Sequence, residues 1–156
     1  MTKDEQYVRE AITLAKKSVA EGGGPFGAIV VKDGKVIATA SNRVTLDHDP
    51  TAHAEILAIR KAAAALGTHD LSGCTVYSSC EPCPMCLGAV YWARPDRLVF
   101  AAGREDALKA GFDDSFIYDQ LTLETGKRSI PTSRISTEEA LDPFILWEKF
   151  SDKTPY

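Results

Sequence analysis

Apolar residues recur along the first part of the chain at the spacings of helices and strands. Helical spacing over residues 4–21 predicts an amphipathic helix, which the Gly-Gly-Gly-Pro run 22–25 ends. Two short apolar runs follow at 26–31 and 36–40, and each has the length of a strand. Because Asp33-Gly34 between them is a strong turn signal, the two runs are predicted to form a β-hairpin.

The middle of the chain alternates between the apolar spacing of helices and that of strands. Helical spacing predicts helices over 51–66, 84–93 and 105–110, and apolar runs predict strands over 75–78 and 97–101. Strands that alternate with helices indicate a layered α/β domain in which the later strands are parallel. We expect the whole chain, residues 1–156, to form one domain.

The last third of the chain has a different pattern. Residues 120–136 are polar and irregular, and Asp142-Pro143 then predicts the start of a helix, with the aspartate as its cap. The residues that follow are too apolar for one side of a solvated helix. This helix therefore docks either on its own domain or on a second subunit, and the pattern leaves both open. The apolar residues concerned are Phe144, Ile145, Leu146, Trp147 and Phe150.

Composition narrows the classes of function. The net charge of −4 and the isoelectric point near 5.4 disfavour a large nucleic-acid-binding surface, which needs clustered Lys and Arg. We expect no membrane span, because no apolar stretch is long enough, and no secretory signal, because the first residues are polar and charged. The four cysteines fit a reducing compartment better than a disulfide scaffold, so we expect a cytoplasmic protein.

Two short motifs carry the candidate chemistry. His53-Ala54-Glu55 and Pro82-Cys83-Pro84-Met85-Cys86 supply one imidazole, two thiolates and one additional carboxylate. Zinc sites with three protein ligands keep a fourth position for water, so His53, Cys83 and Cys86 indicate a catalytic zinc site. Glu55 would then take a proton from that water and return it later. Because both motifs lie at predicted helix starts, we expect two helix N-termini to face one another.

Other interpretations of these residues stay open. The Cys-x-x-Cys spacing also occurs in redox pairs. A structural zinc site would need a fourth ligand, for which Cys80 is available, but it would leave Glu55 without a role. We expect Cys74 and Cys80 to be buried thiols, and His48 and His69 to be solvated.

Further segments accompany the metal motif. They are Pro25-Phe26-Gly27-Ala28, Asn42, the run 79–94, the run 110–118 and the closing Tyr156. Together with the spacing H-x-E…P-C-x-x-C, an established signature of zinc nucleobase deaminases, they resemble the cytidine-deaminase-like superfamily. Within it, the chain is similar to the small bacterial guanine deaminases over nearly its full length. The resemblance implies a three-layer α-β-α sandwich around a central mixed sheet.

The same resemblance implies a function and an assembly. It implies zinc-dependent hydrolysis of guanine to xanthine and ammonia, with one zinc ion per subunit and a purine base as the small-molecule partner. It also implies a homodimer in which the C-terminal segment 137–156 is exchanged between subunits. The catalytic residues implied are Glu55 and Asp114, and the substrate-binding residues implied are Phe26, Asn42, Ala54, Trp92, Asp114 and Tyr156.

Several of these residues have a plainer interpretation without the resemblance. Phe26 and Trp92 would fill the core, and Asn42 would be a turn residue. Asp114 would be a helix cap and Tyr156 a frayed end. Deamination of guanosine, cytosine, an aminotriazine or tRNA adenosine uses the same chemistry, although the acidic charge disfavours a nucleic acid.

Overall fold

The computed structural model describes residues 1–156. The chain divides into two compact units, Met1–Ser115 and Phe116–Tyr156. None of its helices combines the length and the apolar composition that crossing a bilayer requires. The regular elements are α1 (Lys3–Ala20), β1 (Gly27–Lys32), β2 (Lys35–Ser41), α2 (Val44–Asp47), α3 (Ala54–Leu66), β3 (Cys74–Cys80), α4 (Pro84–Ala93), β4 (Arg97–Ala102), α5 (Arg104–Lys109), α6 (Asp114–Thr122) and α7 (Asp142–Lys149), with 3-10 turns at Thr125–Lys127 and Glu138–Leu141.

The first unit is built on a four-stranded mixed sheet with the strand order β2-β1-β3-β4. Strand β1 runs antiparallel to β2 and β3, whereas β3 and β4 are parallel, as predicted for the later strands. The predicted hairpin is confirmed. Asp33 and Gly34 both have positive φ, 51° and 73°, as the two-residue type I′ turn requires.

Helices cover both faces of this sheet. Alternate residues of a strand point to opposite faces, so β1 serves two cores. Ala28 and Val30 pack with α3 on one side, whereas Ile29 and Val31 pack with Tyr7 of α1 on the other. The predicted three-layer α-β-α sandwich is thereby confirmed.

The start of β1 lies unusually close to α1. A side chain at Gly27 would overlap with the carbonyl oxygen of Ala11, and its Cβ would lie 2.8 Å from the amide nitrogen of Ala15. Only glycine allows this approach, because it has no Cβ. The contact fixes the position of Phe26, which directly precedes the strand.

One predicted helix start and one predicted helix cap are wrong. Helix α3 begins at Ala54 with His53 as its N-cap, later than the predicted start at residue 51. Asp49 Oδ1 instead accepts hydrogen bonds from the Thr51 backbone and hydroxyl, at 2.8 and 2.7 Å, which closes a separate turn. In α7 the cap residue is Leu141 and not Asp142, because a 3-10 turn runs directly into the helix.

The second unit has no residue that is fully buried. The apolar side chains of helix α7 are exposed like its polar ones. A segment without a core does not compensate the entropy of its own ordering, so it needs a surface to pack on. Its exposed large apolar residues include Leu121, Ile130, Ile135, Leu141, Phe144, Ile145, Leu146, Trp147, Phe150 and Tyr156.

Candidate active site

Two helix N-termini bring the predicted metal ligands together. His53 is the N-cap of α3 and Cys83 the N-cap of α4, with Cys86 one turn further along α4. His53 Nδ1 lies 3.5 Å from Cys83 Sγ and 3.4 Å from Cys86 Sγ. The three ligand atoms all lie within 4.8 Å of one another, as expected for ligands of one metal ion.

These distances fit zinc. Bond lengths of about 2.3 Å to sulfur and 2.0–2.1 Å to nitrogen place the two ligand atoms of a tetrahedral site about 3.6 Å apart. The observed separations of 3.4 and 3.5 Å agree with this value. Cys80 is outside the group, and its Sγ lies 3.6 Å from the carbonyl oxygen of Gly103. The site therefore resembles three-ligand catalytic zinc sites more than closed four-ligand structural ones.

The electrostatic interactions of the Cys83 and Cys86 thiols favour the binding of a cation. The hydrogen bond from the Cys86 thiol lowers the pKa of Cys83 to about 4. The same contact, together with burial, raises the pKa of Cys86, so the pair shares one proton until a metal displaces it. Burial also raises the pKa of Cys80, to about 11, but it is the position of its thiol against the Gly103 carbonyl that separates Cys80 from the ligand group.

Glu55 lies beside the ligands and is only 4% exposed. Its Oε1 accepts a hydrogen bond of 2.9 Å from the Ser78 hydroxyl, and its Oε2 lies 3.4 Å from Cys86 Sγ. Burial raises the pKa of this carboxyl, and the hydrogen bond from Ser78 opposes the shift. A buried carboxyl of raised pKa next to a metal site is suited to taking up and returning a proton.

Asp114, the first residue of α6, is a second carboxyl that interacts electrostatically with the ligands. Burial raises its pKa, and the negative charge of Cys83 raises it further, whereas His53 lowers it. Because the ligand groups influence its charge, Asp114 belongs to the same electrostatic site. The resemblance led to this residue, and nothing in its local sequence separates it from Asp113.

A cavity of about 390 Å³ opens beside His53. This volume lies in the range of about 300–1,000 Å³ that is usual for small-molecule pockets. Asn42 lies in its wall, and Asn42 Oδ1 accepts a hydrogen bond of 3.1 Å from the Val44 amide, which leaves the Nδ2 donors and the second lone pair of Oδ1 for a ligand. The lining residues are Gly22, Gly23, Gly24, Phe26, Asn42, Val44, Thr45, His53 and Phe112.

The glycine run that ends α1 has a second role at this cavity. A Cβ on Gly24 would lie 2.9 Å from both Cγ and Oδ1 of Asn42. Any larger residue would push the Asn42 amide away from its position, so glycine is needed there for packing. The sequence pattern indicated only that this run stops a helix.

Three predicted substrate-binding residues of the first unit do not line this cavity, namely Ala54, Trp92 and Asp114, and the fourth, Tyr156, belongs to the second unit. Ala54 is fully buried at the first position of α3, so only its backbone can contact a ligand. Trp92 is 64% exposed on α4. Tyr156, in the second unit, is 72% exposed, and its ring centroid lies 6.4 Å from that of Trp147. Their binding roles stay predictions.

Sequence reasoning missed two residues that the structure adds to the site. Ser78 donates a hydrogen bond to Glu55, and the only signal in the sequence is a polar residue inside a predicted strand. Phe112 packs edge-on against Phe26, with ring centroids 4.9 Å apart and the ring planes at 82°. No local pattern distinguishes Phe112 from a surface aromatic, because the contact joins residues far apart in the chain.

A buried His-Cys-Cys group beside a buried glutamate, on facing helix N-termini, defines a zinc-dependent deaminase site. Residues 1–102 match the family described as the cytidine and deoxycytidylate deaminase zinc-binding region. The chain belongs to this family.

Individual relatives are similar over different lengths. The guanine deaminase of Bacillus subtilis (strain 168) is 52% identical over 97% of this chain and 98% of its own. A crystal structure of guanine deaminase from Bacillus subtilis superposes with a TM-score of 0.96 over the same shares of the two chains. The tRNA-specific adenosine deaminase of Bacillus subtilis is 48% identical, but over 65% of this chain and 63% of its own. A guanine deaminase structure from Nitrosomonas europaea is 41% identical with a TM-score of 0.67, over 69% of this chain and 63% of that one.

Proposed function

We propose that this protein is a guanine deaminase that hydrolyses guanine to xanthine and ammonia, with one zinc ion per subunit. The observation that carries the proposal is the buried Glu55 beside the His53, Cys83 and Cys86 group. The similarity to a guanine deaminase over 97% of the chain supports guanine as the substrate. Similarity to a tRNA deaminase over only 65% makes tRNA adenosine the weaker candidate.

The zinc ion, when bound by these ligands, would supply a water molecule of lowered pKa next to the substrate. The protein then has to move protons. One proton must leave the water as its oxygen bonds to C2 of guanine, and one must reach the ring nitrogen N3. Glu55 is suited to both transfers, because one oxygen of its buried carboxyl faces the ligand group.

Release of the amino group requires a further proton transfer, because ammonia leaves far more readily than an amide anion. We assign this step to Glu55 and Asp114 together. The raised pKa of Asp114 supports its assignment, since a carboxyl that holds a proton more tightly can donate it. Asp114 would also bind the amino group before the reaction.

Asp114→Asn should lower kcat for guanine by about 10²-fold, because the amide cannot transfer the proton. Asp113→Asn, the same change at the adjacent carboxyl, is the matched control and should leave kcat within about threefold of the wild type. Steady-state kinetics of both variants, with zinc content measured alongside, tests the assignment. Equal kcat values for Asp114→Asn and the wild type would remove Asp114 from the mechanism.

Purine binding is assigned to the cavity beside His53. Phe26 would stack on the flat base, and Asn42 would hydrogen-bond to its edge through Nδ2. The Ala54 backbone N–H, one of the unpaired donors of the first turn of α3, would complete the polar contacts. Trp92, exposed on α4, and Tyr156, exposed near the C-terminus, keep substrate-binding roles that rest on the family resemblance alone.

The substrate assignment is tested by ammonia release from zinc-loaded protein. Guanine, guanosine, cytosine, adenine and an aminotriazine are offered separately, and a tRNA is included as a polynucleotide. We expect guanine to have the highest kcat/KM of the panel. A higher kcat/KM for another ring would agree with the proposed zinc chemistry but would contradict guanine as the substrate.

We also propose that the protein is a homodimer that exchanges its C-terminal segment 137–156. The exposed apolar residues of this segment support the proposal, since one copy cannot leave them in water without cost. The first unit offers apolar groups of its own for such an interface, namely Tyr91, Trp92 and Phe100. A second copy is the partner that a symmetric closed assembly would use.

Complementation between two inactive chains tests the exchange. One chain carries Glu55→Gln with an intact tail, and the other lacks residues 154–156 but keeps Glu55. If the tail of one chain completes the pocket of the other, purified mixed dimers should regain about half of the wild-type activity, one competent pocket in two. Mixed dimers without activity, or a monomeric mass in solution, would contradict the exchange.

A further inference from the structure

Ser78 occupies a position in the sheet where an apolar residue is expected. Strand β3 is an interior strand, and Ser78 is paired with Ala28 on one side and Phe100 on the other. The side chain is completely buried, on the face where Val76 and Ala28 pack in the core under α3. Burying a hydroxyl in such a place destabilises the fold unless the hydroxyl has a hydrogen-bond partner. The partner of the Ser78 hydroxyl therefore indicates the role of this residue.

The partner is Glu55. Ser78 Oγ donates to Glu55 Oε1 at 2.9 Å, and the amide nitrogen of Cys80 lies 3.5 Å from Oγ on its acceptor side. A hydroxyl has a single proton, and here that proton is directed at the carboxylate. Oε1 is therefore held by a residue of the sheet, whereas Oε2 accepts from the Cys86 thiol at 3.4 Å and so faces the ligand group.

We propose that Ser78 is a positioning residue that assigns different roles to the two oxygens of Glu55. Oε1 is the anchored oxygen, and Oε2 is the one that takes the proton from water and returns it to the purine. A glutamate side chain has several rotatable bonds, and a carboxyl that turned between the two transfers would lose its alignment with the substrate. The inference rests on the proposed deaminase function and adds a residue to its mechanism.

The test compares Ser78→Ala with Ser79→Ala. Ser79 is the next residue on the same strand and is also buried, but its Oγ accepts a hydrogen bond of 3.0 Å from the Gly27 amide and does not contact Glu55. Ser78→Ala should lower kcat for guanine by about 10- to 100-fold with KM changed less than about threefold, because binding is intact and alignment is lost. Ser79→Ala should keep kcat within about threefold of the wild type.

Two further variants separate positioning from a structural role. Ser78→Thr keeps the hydroxyl and should recover most of the activity that Ser78→Ala loses. In a Glu55→Gln background, Ser78→Ala should cause almost no additional loss, since the residue acts through Glu55. Losses that multiply in the double variant, or a Ser78→Thr enzyme as slow as Ser78→Ala, would overturn the proposal.

A readout independent of activity completes the experiment. Zinc content should stay at the wild-type level in Ser78→Ala, and its crystal structure should show Glu55 in a changed or mixed conformation, unlike that of Ser79→Ala. An unchanged Glu55 in that structure would contradict the inference. If Glu55→Gln itself keeps normal turnover, the proposed mechanism fails. If Glu55→Gln is slow and Ser78→Ala is normal, only the role of Ser78 fails.

Discussion

Glu55→Gln is expected to lower kcat for guanine by about 10²–10⁴-fold or more, because the residue would act as base and as acid in one turnover. The amide keeps the size of the side chain but cannot accept the proton of the attacking water. The measurement is steady-state ammonia release by variant and wild type that contain equal amounts of zinc.

The change should leave zinc binding nearly intact, since Glu55 is not one of the three ligands. Its buried position beside Ser78 and Cys86 means that folding must be checked by thermal unfolding. Lys17→Gln, at an exposed surface position of α1, is a control for a change of charge elsewhere. Near-normal turnover by zinc-loaded Glu55→Gln would refute the assignment of Glu55 as the proton carrier.

Cys86→Ser is expected to remove both zinc and activity. Loss of an outer-shell partner alone often costs 10- to 100-fold in metal affinity, so loss of a ligand should cost on the order of 100-fold or more. Cys86 is completely buried, and a serine hydroxyl there is a much poorer ligand than a thiolate. Metal content by mass spectrometry after dialysis, together with ammonia release, measures the effect.

Cys80→Ser is the matched control, because Cys80 is also buried but lies against the Gly103 carbonyl instead of the ligand group. It should keep one zinc ion per subunit and nearly full activity. Zinc loss in Cys80→Ser would indicate a four-ligand structural site and would contradict the catalytic interpretation. The two cysteine variants therefore distinguish an enzyme from a zinc-stabilised binding protein.

The parts of this protein that could be predicted from sequence are those encoded by short spacings. The hairpin at Asp33-Gly34 follows from the conformational needs of a two-residue turn. The metal site follows from two motifs whose helix-start positions bring His53 and Cys83 to face one another. The exact start of α3 was not predicted correctly, because the Asp49 side chain closes a separate turn just before the helix.

Other residues became part of the site only through long-range contacts. Ser78 contacts Glu55 because its side chain lies on the face of the sheet that α3 covers. The pairing of Ser78 with Ala28 across the sheet sets this position. Phe112 contacts Phe26 although all four strands of the sheet lie between them in sequence. Asp114 was identified through the family resemblance, and its interaction with the charges of the ligands is seen only in the tertiary structure.

The sequence by itself determined the α/β class, the zinc ligands and the candidate proton carrier, because each depends on residues a few positions apart. The tertiary structure decided which oxygen of Glu55 faces the ligands, which residues line the cavity beside His53, and that the apolar tail has no core of its own. These features depend on strand register and on packing between distant segments. Local patterns record which groups a chain carries, whereas packing determines which of them meet.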